Sequence, residues 1–199
     1  EIEDFFINNA KALAHFVRAC ELNPSNVYAA AGAARVLSLQ KRESEAEKYY
    51  TQSYNAGRAE EEKHLKRYAA AKKKKDYYTE EAYLADAIAA NPVDSDAYFL
   101  LTSVHRSRKN NGKAAAVLEK LKFMRPTHEK AYVLLAHLYY SERIYKNRKK
   151  EIETATAYME TALAMNPSNT EYLEFLAELR ERGRIYGYRF RPRGAIKGL

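Results

Sequence analysis

PVDSDAYFLLTSVHRSRKNNGKAAAVLEKLKFMRP, residues 92–126, opens and closes on proline, and the two prolines stand 34 residues apart. Pro24 lies twice 34 residues before Pro92, with Arg58 at the midpoint where a further proline would complete the series. The residues ahead of each proline recur too. Ala114, Leu118 and Leu121 precede Pro126 by twelve, eight and five residues, and Ala12, Phe16 and Ala19 precede Pro24 by the same distances. Ala155, Met159 and Ala162 stand likewise before Pro167, and Ala46, Tyr50 and Ser53 before Arg58. Self-similarity at a period of a few tens of residues marks an array of one supersecondary unit. A slim side chain lets two helices approach closely, and a broad one four residues later fills the adjoining gap. The proline is expected to start the next helix, where its missing N–H leaves nothing unsatisfied.

Composition points the same way. Ala, Leu, Glu, Lys and Tyr dominate the 199 residues, while Gly and Pro number only 7 and 5, which favours long helices joined by short turns. The fold class is therefore all-α. Cys20 is the single cysteine, so neither an internal disulfide nor a cysteine-based metal cluster can form, which fits a reducing compartment. No stretch approaches the roughly eighteen consecutive apolar residues of a membrane span. The N-terminus, EIEDFFINNAKALAHF, has no initiator Met and no apolar signal core, so a fragment or a processed form is expected. The formal charge is +8, but the segment 184–199 holds Arg184, Arg189, Arg191, Arg193 and Lys197 with no acid. Without those five cations, residues 1–183 carry +3, so the basic character belongs largely to the tail.

The small–bulky–proline pattern resembles the tetratricopeptide repeat over residues 7–183. The resemblance implies a right-handed superhelical α-solenoid of antiparallel helix pairs, in which each hairpin touches only its neighbours. Its register divides the chain into a truncated first repeat (1–26, second helix 7–20) and four repeats at 27–60, 61–94, 95–128 and 129–169. A closing helix at 170–183, stopped by Gly183, and a basic aromatic tail at 184–199 follow. Seven extra residues in the fourth repeat, near 143–150, imply a longer helix pair or loop there. The family's tryptophan is replaced by Ala30, His64, Tyr98, Tyr132 and Leu173. In repeat 61–94, Tyr68 and Glu80 stand where small residues belong, so a local distortion is expected.

In tetratricopeptide proteins the concave groove is lined by first-helix positions two, five, nine and twelve. Carried over, the resemblance nominates Tyr28, Arg35, Lys72, Phe99, Arg106, Lys130, His137 and Tyr140 as groove residues. Aromatic anchors beside cations suit a partner-protein segment bearing apolar and acidic side chains. The plainer alternative is a solvated face with tyrosine rings packed edgewise. No groove position carries Asn, so the family's Lys/Asn clamp on a C-terminal carboxylate is not implied. Glu171, Glu174, Glu178 and Glu181 share one face of the closing helix, as a polar cap or as a dock for a basic segment, this chain's own tail among the candidates.

Other functions rest on less. Tail residues Arg184, Arg189, Arg191 and Arg193 alternate with aromatics and glycines, a texture that can stack on unpaired bases or lie on an acidic protein surface. Without a folded nucleic-acid module, protein contact or a linker role outweighs nucleic acid. Lys72–Lys75 and residues 143–150 are basic runs that read as solvated surface. The apolar face of the N-terminal half repeat could let arrays stack end to end, making the chain an assembly subunit. His15, His64, His105, His128 and His137 show no metal-ligand spacing, and no glycine-rich phosphate loop or GxSxG elbow occurs. Nothing nominates a catalytic residue, a metal or a cofactor, and the expectation is a non-enzymatic scaffold.

Overall fold

A computed structural model describes residues 2–141, 144 and 147–186, with side chains from residue 8 onward. The described residues form nine α-helices and no strand. In chain order these are α1 (Ile2–Leu22), α2 (Val27–Leu39), α3 (Glu43–Lys74), α4 (Tyr77–Ala90) and α5 (Ser95–Ser107). Then come α6 (Asn111–Met124), α7 (Glu129–Ser141), α8 (Arg148–Met165) and α9 (Thr170–Ile185). The all-α, paired-helix architecture is the one that the 34-residue phase implies.

The prolines act one step earlier than expected. Pro24, Pro92, Pro126 and Pro167 each sit in a turn three residues before α2, α5, α7 and α9, not at a first helical position. A proline ring crowds the residue before it out of helical geometry. Accordingly Asn91, Arg125 and Asn166 have φ of −138°, −127° and −136°, and the helices ahead of them stop there. The next helix is begun instead by a capping side chain two residues after the proline. Asn26, Asp94 and Asn169 each accept a hydrogen bond from an amide of the first turn.

At Arg58 there is no proline, and the helix does not stop. α3 runs for 32 residues, joining the second helix of repeat 27–60 to the first of repeat 61–94 across the boundary set by the register. The turn inside each of these repeats is nevertheless in phase. Lys41, Lys75 and Lys109, spaced by 34, adopt the left-handed conformation with φ of 60°, 57° and 59°. After each, an amide reaches back five residues: Arg42 to Leu37, Asp76 to Ala71 and Asn110 to His105. This is the Schellman closure of a helix C-terminus.

The helices gather into two compact units, one up to residue 128 and one from 129. In the first, α1 to α6 pack in sequence, and the slim–broad positions form the core. Ala46, Tyr50, Ser53, Leu84, Ala87, Ala114, Leu118 and Leu121 are all buried. Glu80 is buried as well, in the repeat where a distortion is expected. The expectation that each hairpin touches only its neighbours fails in this unit, where α2 also meets α6. The end of α6 lies against α2 and the first half of α3. The Tyr50 hydroxyl donates to the Met124 carbonyl at 3.1 Å, and the Arg125 guanidinium lies 4.7 Å over the Tyr50 ring.

In the second unit α7, α8 and α9 pack in order around Leu135, Ala136, Ile152, Ala155, Met159, Ala162, Leu176 and Leu179. α8 has 18 residues against 14 for α4 and α6, so part of the seven-residue insertion extends a helix. The rest falls within 142–147, largely outside the described residues. Gly183 does not stop α9; it is buried in the last turn, and the helix ends at Ile185. Of the residues named for the tail, Arg184 lies in that last turn, while Arg189, Arg191 and Arg193 lie outside the described residues.

Candidate functional site

The residues nominated for the groove divide between the two units, and each unit presents its own concavity. In the first unit α2 carries Tyr28 and Arg35. Tyr28 is exposed, whereas the intervening Ala31 is fully buried. Arg35 lies 3.8 Å over the ring of Phe123, and its Nε donates to the Phe123 carbonyl at 2.8 Å. That carbonyl belongs to the last turn of α6, where the final C=O groups lack helical partners and attract cations. Burial lowers the pKa of Arg35, yet a guanidinium remains charged throughout the biological range.

Beside this contact opens a cleft of about 330 Å³ walled by Tyr28, Ile88, Pro92, Tyr98, Phe123 and Met124. Glu119 and Lys120 stand at its edge, Glu119 in an ion pair with Lys122. Tyr98 forms a rigid wall because its ring is buried and its hydroxyl donates to the Pro92 carbonyl at 3.1 Å. Phe123 and Tyr28 remain 57% and 55% exposed, a pairing that leaves two large rings open to solvent on one rim.

The other first-unit nominees lie apart from this cleft. Phe99 sits edge-on to His128 with ring centroids 5.7 Å apart, and Arg106 is exposed near the end of α5. Lys72 occupies the last turn of α3, its ammonium 5.7 Å over the Tyr68 ring.

In the second unit the nominees come from α7. Lys130 is exposed in its first turn. His137 stacks on Phe175 of α9, with centroids 4.1 Å apart and an interplanar angle of 10°. Tyr140 meets Phe175 edge-on at 5.6 Å and donates its hydroxyl to Glu178. Burial and that carboxylate both hold the Tyr140 phenol above its ordinary pKa. Arg148 closes over the Tyr140 ring at 5.0 Å and donates to the Tyr140 carbonyl. Between α7 and α9 lies a concavity of about 350 Å³, lined by Val133, His137, Met159, Phe175 and the carboxylates Glu171, Glu174 and Glu178. Tyr172 completes it and donates to Glu129, which pushes the Tyr172 phenol up to about 12.

Several lining residues lie outside those that the sequence nominates. Phe123, Met124 and Ile88 belong to second helices, which the repeat register excludes from the groove. Phe123 and Met124 reach the α2 face through the contact of α6 with α2. The apolar pair Phe123–Met124 directly ahead of Arg125–Pro126 is the signal that the sequence offers. Met159 reads in sequence as a packing residue, and Phe175 carries no sequence assignment.

Residues 81–129 match the tetratricopeptide repeat family model. The match lies on α4 to α6 and the first residue of α7. Proteins built on tetratricopeptide repeats generally mediate protein–protein interactions. Among solved structures, this chain is similar to the Arabidopsis OM64 TPR domain, at 18% identity and a TM-score of 0.46, over 63% of this chain and 98% of that one. It is also similar to YrrB, described as a TPR protein with an unusual peptide-binding site, at 20% identity and a TM-score of 0.44, over 87% and 86%. TTC0263, a thermophilic TPR protein of Thermus thermophilus, is similar at 20% identity and a TM-score of 0.44, over 90% and 95%. A comparison with curated proteins found no match. No helix among the described residues is long and apolar enough to cross a membrane.

Proposed function

We propose that this chain is a non-catalytic scaffold of tetratricopeptide type that holds a segment of a partner protein, and that the cleft beside α2 takes an apolar side chain of that segment. The observation that carries the reading is the cleft itself. Its walls are apolar, with Pro92 and Tyr98 buried and held by a hydrogen bond, Ile88 and Met124 half-buried, and Tyr28 and Phe123 exposed. Concave, preformed, mostly apolar sites with few polar groups are where ligands bind, and aromatic rings that a partner covers at such sites carry much of the binding energy. Lys120 is exposed at the edge, so an acidic residue next to the apolar anchor would find a cation there.

The test uses a displayed peptide library panned against the chain. Enriched sequences should carry a large apolar residue beside Asp or Glu. Tyr28→Ala and Lys120→Glu, both exposed positions, should each weaken the best peptide by about tenfold while leaving the melting temperature unchanged. Enrichment of unrelated sequences, or full affinity in both variants, refutes the reading.

A further inference from the structure

The concavity between α7 and α9 has the opposite chemistry to the cleft beside α2. Its floor is apolar, formed by Val133 and Met159, and its wall is the Phe175 ring stacked against His137. Its mouth carries three carboxylates, Glu171, Glu174 and Glu178, spaced to fall on one face of α9. Like charges at that spacing weaken a helix slightly instead of supporting it. Glu178 accepts the Tyr140 hydroxyl, but Glu171 and Glu174 have neither an ion pair nor a hydrogen bond among the described residues.

We propose that this pocket receives an arginine side chain from a basic segment of a partner protein. Three features select that occupant. The acid at the mouth calls for a cation. The aromatic wall favours one that is itself flat, because a guanidinium lies parallel to a ring face and is more weakly hydrated than an ammonium, which meets the ring only as a point charge. The apolar floor accommodates the aliphatic stem, which long cationic side chains bury while the head stays among polar groups. Glu171 and Glu174 then accept from the guanidinium, whose planar fork matches carboxylate geometry. The inference rests on the scaffold reading but not on the α2 cleft, and the two sites can fail separately.

The experiment titrates the full chain with a fluorescent six-residue peptide of alternating arginine and leucine, read by anisotropy. Its lysine and citrulline counterparts serve as controls. The arginine peptide should bind, the lysine peptide should bind more weakly, and the citrulline peptide, equal in shape but uncharged, should lose binding. Binding should fall as salt rises from about 50 mM to about 500 mM. The double variant Glu171→Gln/Glu174→Gln, which leaves the Tyr140–Glu178 contact in place, should weaken the arginine peptide by about tenfold or more. Tyr28→Ala should leave it unchanged. No binding by the full chain, equal binding of the citrulline peptide, or an unaffected double variant overturns the assignment.

Discussion

Glu61 is the residue whose chemistry departs furthest from its surroundings. It sits on α3 only 3% exposed, and Asn91 donates to it at 2.6 Å from the turn between α4 and α5. Its second oxygen and the side-chain oxygen of Asn91 are both buried acceptors without a donor. Burial pushes the Glu61 carboxyl up to about 7, with Asp94 and Asp96 adding to the rise against the lowering effect of Asn91. The folded chain therefore holds this proton more tightly than the unfolded chain does. Stability from this group is complete at acid pH, declines as pH rises from the ordinary carboxyl range through about 7, and is flat above. Glu61→Gln keeps the shape and removes the titration. Urea unfolding at pH 5 and pH 8 should show the variant gaining on the parent at the higher pH by up to about 3 kcal/mol. Parallel pH profiles for the two proteins would dismiss a neutral Glu61. A nearby glycine gives a second residue-scale prediction. A Cβ on Gly57 would overlap the carbonyl oxygen of Ala90, which is backbone and cannot swing aside. Gly57→Ala should therefore lower the melting temperature despite the better helix propensity of alanine, by about 2 kcal/mol or more of stability. Neither residue is legible in the sequence. Periodicity assigns polar residues to the outside, and only the continuation of α3 brings positions 57 and 61 against the 90–91 turn.

At the scale of elements, the prolines make the helix ends legible, and the missing one at position 58 says more than the register allows. A series of helix stops with one absent leaves a helix with nothing to end it. Arg58→Pro discriminates directly between one helix and two. If α3 were two helices meeting near residue 60, the substitution would supply the family's own proline and be tolerated. In a continuous α3 it removes an interior hydrogen bond and should cost about 3 kcal/mol, measured by denaturant unfolding. The left-handed lysines offer the reverse test. Lys75 and Lys109 adopt a backbone conformation that glycine reaches without steric penalty. Lys109→Gly should therefore stabilise the chain by about 1 kcal/mol, seen as a higher urea midpoint. These bends are invisible in the sequence because lysine is no turn signal, even though their spacing repeats the 34-residue phase.

For the molecule as a whole, the class of fold is legible because it depends on the slim–broad rhythm, whose positions from Ala46 onward fill the two cores. The candidate sites are legible only in part. Val133, His137, Glu171, Glu174 and Glu178 occupy repeat positions that the family assigns to the groove, and they line one cavity. Tyr28 alone of the first-unit nominees lines the other, while Arg35 braces its rim through Phe123. The missing walls come from a long-range contact between α2 and α6, and no local pattern encodes a contact between residues 88 apart in the chain.

Repeat arrays ordinarily unzip one unit at a time, since each unit is bound only to the next. α3 forbids that between residues 27 and 94. A rod of 32 residues, roughly 48 Å long, packs against both α2 and α4, so neither contact can open while the other stays intact. Native-state hydrogen exchange should find the amides of α2, α3 and α4 opening together with a single free energy, as one cooperative block where two would otherwise be expected.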